Sequence, residues 1–152
     1  MSILLTVHVL ATVIWVGGMF FSYVILRPAS AVLDGPDRLA LWRDVLSRFF
    51  NWVWAVVIAI IVSGYGLVYG YFGGMGNVGV HVHLMSVTAW LMIAVFLVAY
   101  FLPFRRFKAA LYDGDRPGAA RHMIAIRRLI LTNLILGLLT TALGTAGPFV
   151  LR

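Results

Sequence analysis

Four runs of apolar residues, roughly 3 to 26, 51 to 72, 82 to 102 and 129 to 150, occupy more than half of this 152-residue chain. About 20 residues at 1.5 Å rise cross the hydrocarbon core of a bilayer, so each run is long enough to span one. Inside lipid the backbone must satisfy its own hydrogen bonds, which leaves helices or a closed barrel, and runs of this length select helices. The sequence therefore predicts an all-α membrane protein, a bundle of four transmembrane helices. With 62% hydrophobic and 11% charged residues, residues 1–152 read as a single membrane domain. The first run lacks a basic leader, is too long for a signal-peptide core and ends at Arg27-Pro28 without a small-residue cleavage site. It is expected to remain in the mature protein.

Charge sets the orientation. Eleven of the twelve basic residues fall between runs one and two (Arg27, Arg38, Arg43, Arg48) or between three and four (Arg105, Arg106, Lys108, Arg116, Arg121, Arg127, Arg128). The middle loop, GGMGNVGVH, carries no charge, and only Arg152 shares its side. The positive-inside rule then places loops one and three in the cytoplasm and both termini outside. The net charge of +7 reads as topology and attraction to anionic lipid, and nucleic acid is not an expected partner.

The chain repeats itself. A shift of 75 residues lays His8 on His83, Trp15 on Trp90 and Pro28 on Pro103; a shift near 79 matches the two Asp-Gly loops and the arginines after them. Both halves start and finish on the outer side, which implies two parallel-repeat helical hairpins about an axis normal to the membrane. In loop one, Leu39, Trp42, Leu46, Phe49 and Val53 recur at helical spacing. This predicts an amphipathic interfacial helix over about 36–50 that runs into span two.

Seven residues turn a helix through about 700°, so His8 and Trp15 share one face of span one, and His83 and Trp90 one face of span three. Ionisable residues inside a membrane mark functional sites by default. If spans one and three are diagonal, His8 and His83 can approach one centre as the axial ligands of a haem b, with Trp15 and Trp90 as walls and Gly17 and Gly18 making room. The outer side offers haem propionates few cationic partners. A copper site is the alternative, because His81, His83, Met85, Met75 and His8 offer the imidazole and thioether donors that suit Cu(I). Positions 81 and 83 point about 200° apart on a helix, so only one faces the axis. A bundle without cofactor, serving as an accessory subunit, is a third reading.

Other chemistry is narrowed by absence. The sequence has no Cys and no Glu, and its five acidic residues are all Asp outside the apolar runs. Thiol catalysis, disulfides and paired carboxylates are excluded. His122 sits among arginines and reads as a loop residue, while Asn51 and Asn133 suit interhelical hydrogen bonds.

The stretch HVLATVIWVGGMFFSYVILRPA, with His8, Trp15-Val16-Gly17-Gly18 and Arg27-Pro28, resembles the opening span of the copper resistance protein D (CopD) family. GVHVHLMSVTAWLM and PFRRFK resemble its short members too. This likeness implies a multi-pass protein of the bacterial inner membrane linked to copper uptake or handling. The first span is also similar to that of HemJ-type protoporphyrinogen oxidases, small haem-binding proteins with four spans. That family has Lys where this chain has His83 and an Arg-x-x-Asn-Glu element in its last span, whereas here Asn133 follows Arg128 without a Glu. The departures weigh against protoporphyrinogen oxidation and leave haem binding open. On the haem reading the protein passes electrons to or from a quinone or a periplasmic partner, and a homodimer or a larger membrane complex is compatible with either reading.

Overall fold

A computed structural model describes residues 1–150; Arg152 lies outside them. The described chain is helical almost throughout, and four helices are long and apolar enough to cross a membrane: Ser2–Val32, Gly35–Gly70, Val80–Tyr112 and Arg116–Val150. They are called spans one to four. The expected all-α membrane bundle is what the chain forms.

Span two is one unbroken helix of 36 residues, about 54 Å at 1.5 Å per residue, well beyond a hydrocarbon core of about 30 Å. The amphipathic stretch 36–50 is therefore the first part of span two itself. Asp34 stands at its N-cap, with Pro36 in the first turn and Asp37 beside the helix dipole, each favoured there. Trp42, Leu46, Phe50 and Val53 are buried. The stripe that suits a membrane surface by its pattern packs into the bundle instead. An aspartate also leads into span four, where Asp115 Oδ1 accepts from the Gly118 N–H at 2.9 Å. The turn before it holds Gly114 at φ +74°, a value glycine adopts without strain.

The two odd spans share an irregularity. Span one widens into a π-helix over Phe21–Leu26, just before Pro28, and span three does so over Tyr100–Phe104, around Pro103. Proline removes a helical N–H and crowds the preceding turn, and a π turn absorbs both effects. The prolines aligned by the repeat thus mark equivalent π-helical segments.

Span one packs along span two, span three along span four, and span one also meets span four. Spans two and three make no extended backbone approach; aromatic rings fill the gap. Phe50 meets Phe104 edge-on at 4.8 Å, and Trp54 meets Phe96 at 5.1 Å and Tyr100 at 5.6 Å. Trp15 joins this layer against Phe96 at 6.3 Å. Each edge-to-face pair contributes roughly 0.5–1.5 kcal/mol beyond its buried area. Spans one and three consequently lie diagonally. The basic residues collect at one end of the bundle; the loop between spans two and three marks the other, uncharged end.

Candidate functional site

Above the aromatic layer, toward the uncharged end, all four spans line a cavity of about 310 Å³. His8, Thr12 and Trp15 come from span one, Gly64 and Tyr65 from span two, His81, Met85 and Trp90 from span three, and Thr140 and Gly144 from span four. The lining is mostly apolar with a few convergent polar groups, as expected of a small-ligand site.

His8 is fixed by span two. Its Nδ1 lies 3.0 Å from Ser63 Oγ, and Ser63 is buried. The Ser63 hydroxyl reaches the carbonyl of Ala59, one turn back; when it donates there, it accepts from His8. In the tautomer that matches this arrangement, Nδ1 carries the imidazole proton and Nε2 keeps the lone pair. This is the arrangement of metal-binding histidines, which donate through one nitrogen and ligate through the other. Gly64 permits it, since a Cβ there would stand 3.2 Å from His8 Cε1.

Span three presents His81, not His83, to this space. Positions 81, 85, 89 and 92 share a face and line the cavity, while His83 lies outside the lining. His81 Nδ1 is buried without a hydrogen-bond partner among the described residues. Span four makes room with glycines: a Cβ at Gly147 would overlap His81 Cβ, one at Gly144 would fall 3.1 Å from Met85 Cε, and one at Gly137 would fall 3.2 Å from Met92 Cε and 3.6 Å from Met19 Cε. Imidazole and thioether groups thus descend along one glycine-lined side of span four. Thr140 and Thr88 join spans four and three at 2.7 Å, with the Thr140 hydroxyl 3.8 Å from Met92 Sδ.

The remaining expected residues separate. Trp15 is 3% exposed and seals the inner end of the cavity, whereas Trp90 is 49% exposed and closes its side. The Trp90 indole N–H donates to Tyr65 Oη at 3.2 Å, bridging spans two and three. Gly18 faces Phe49 of span two, where a Cβ would fall 2.5 Å from the ring, and Gly17 has open space beside it. Neither makes room in the cavity. Met75 sits in the short turn Met75–Asn77, outside the lining, as does His122 at the basic end. Sequence reasoning misses Ser63 as a site residue, since nothing local ties it to His8, 55 residues away.

Haem b fits this cavity poorly. Its volume is at the lower end of small-molecule pockets, roughly 300–1,000 Å³, and no Lys or Arg lines it to meet the propionates. No three His, Cys, Asp or Glu side chains cluster among the described residues. The donors the cavity offers are two imidazoles and soft thioether sulfur.

Fold and cavity together define a multi-pass membrane protein with an imidazole–thioether chamber near its uncharged end. The chain belongs to the copper resistance protein D (CopD) family, whose profile matches residues 43–146. The match takes in His81, Met85 and the span-four glycines except Gly147, and begins after span one and His8. No curated protein and no solved structure matches the chain.

Proposed function

We propose that this protein handles copper as Cu(I), taking the ion into the cavity through His8, His81 and Met85 and passing it inward toward Met92 and Met19. The observation that carries this reading is the His8–Ser63 contact of 3.0 Å, which suits a histidine that donates through Nδ1 and ligates through Nε2. Cu(I) favours such nitrogen and thioether donors, while hard divalent ions favour carboxylate oxygens, and no Asp or Glu lines the cavity. Copper here is cargo. By the positive-inside rule the basic end faces the cytoplasm, so the chamber opens its ligand set toward the outer side of a bacterial inner membrane.

The test is competition for Cu(I) between detergent-purified protein and a chromophoric Cu(I) chelator under reducing conditions. One ion bound per chain, with at least about tenfold weaker binding in His8→Ala, is the expected result. Binding unaffected by His8→Ala sinks the assignment. A Soret band in the purified protein that disappears in His8→Ala would restore haem b in its place.

A further inference from the structure

Most of the basic side chains at the charged end are exposed. Arg127 is not. It is half-buried, and its Nε is buried without a hydrogen-bond partner among the described residues. Its guanidinium lies over the Trp42 ring at 5.6 Å, so one face is already covered. The charged groups close enough to act on it are Arg27 and Arg38, both of its own sign, with Tyr23 as the remaining titratable neighbour and no carboxylate among them. Arg27 in turn stacks over Tyr23 at 5.0 Å.

Three spans contribute these cations: Arg27 from the end of span one, Arg38 from the start of span two, and Arg127 from span four. The floor between them is pinned by polar contacts. The Trp42 indole donates to Ser30 Oγ at 3.2 Å, and Ser30 donates to the Arg27 carbonyl at 2.9 Å. The only ion pair among the described residues joins neighbouring Arg43 and Asp44 elsewhere, so no acidic side chain among them neutralises the junction.

Like charges gathered around a buried, unmatched donor destabilise one another unless an anion joins them. A guanidinium presents a planar fork that matches phosphate oxygens in pairs. We infer that the junction of Arg27, Arg38 and Arg127, floored by Trp42 and Tyr23, binds an anionic phosphate group. A phospholipid headgroup of the basic-side leaflet is one source, since Val24 and Ile25 are exposed on the same span and would run beside its acyl chains. A soluble phosphate compound is the other. The inference is independent of the copper reading.

Thermal unfolding of the detergent-purified full chain tests it, with phosphatidylglycerol, zwitterionic phosphatidylcholine or sodium pyrophosphate added. Arg127→Gln and Arg27→Gln are compared with wild type, and Arg105→Gln, exposed at the same end, serves as the charge-matched control. The expected result is a rise in Tm with an anionic probe for wild type and Arg105→Gln, with about tenfold more probe needed in the other two variants. Should Arg127→Gln fail to fold, Arg27→Gln, altered at an exposed residue, carries the comparison. An arginine-dependent effect of phosphatidylglycerol alone assigns a lipid headgroup; the same effect with pyrophosphate assigns a soluble phosphate ligand. Equal loss in Arg105→Gln reduces the junction to diffuse surface charge and overturns the site, as does the absence of any anionic stabilisation.

Discussion

His8 Nδ1 and Ser63 Oγ, 55 residues apart in sequence, stand 3.0 Å apart across the interface of spans one and two. The contact holds the plane of the ring, and with the proton on Nδ1 it leaves Nε2 as the donor that the copper proposal requires. Ser63→Ala is expected to weaken Cu(I) binding by about 10- to 100-fold, the range for losing such a supporting partner. Stability should fall by only about 1 kcal/mol. Chelator competition beside thermal unfolding measures both, and unchanged affinity in a folded Ser63→Ala protein would remove the serine from the site.

Span three offers two histidines that face opposite ways. His81→Ala is expected to weaken Cu(I) binding by about tenfold or more, by the reasoning that the side chain lines the cavity with an unpartnered nitrogen. His83→Ala should bind like wild type. The reverse ranking would mean that span three is rotated by about half a turn relative to the arrangement described.

The glycine face of span four tolerates little. At Gly147 a Cβ would run into His81 Cβ, a rigid part of the neighbouring helix, so Gly147→Ala should cost about 1–3 kcal/mol of stability through overpacking. At Gly144 the neighbour is the flexible end of Met85. Gly144→Ala should leave Tm nearly unchanged and shift Cu(I) affinity instead. A Gly144→Ala protein less stable than Gly147→Ala would contradict this packing.

Asn133 is buried in span four, with Oδ1 unpartnered among the described residues and a void of about 10 Å³ beside it. Replacing it with a similar-sized apolar side chain removes an unmatched acceptor. Asn133→Leu is therefore expected to raise Tm without altering Cu(I) affinity. A marked loss of stability would indicate that a polar group is needed at this depth, for instance one sharing a bound water in the void.

Much of this architecture can be read from residue order, because lipid leaves a chain few choices. Run length sets the four helices, and the matched Pro28 and Pro103 fall where both odd spans turn π-helical. The site is less legible. A shift of 75 residues pairs His8 with His83, yet the residue that meets a span-four glycine as His8 meets Gly64 is Met85, 77 residues after His8. Helices can rotate against one another at no cost visible in a pattern of identities, and two residues of rotation exchange the inner face for the lipid face. The stretch 36–50 carries a related ambiguity: an apolar stripe is the same whether lipid or a neighbouring helix covers it. Only the placement of Trp42 and Leu46 against other spans decides between the two.

The joint between Tyr65 and Trp90 has a mechanical consequence. Spans one and four form a spine, bound by close approach at Gly137, while spans two and three are two leaves latched near the uncharged edge by one indole–phenol hydrogen bond between side chains that are 39% and 49% exposed. Below the latch, the edge-packed rings act as the binding that keeps the leaves from parting altogether. Breaking that hydrogen bond forfeits only about 1 kcal/mol, so this latch is the weakest fastening at the chamber's side.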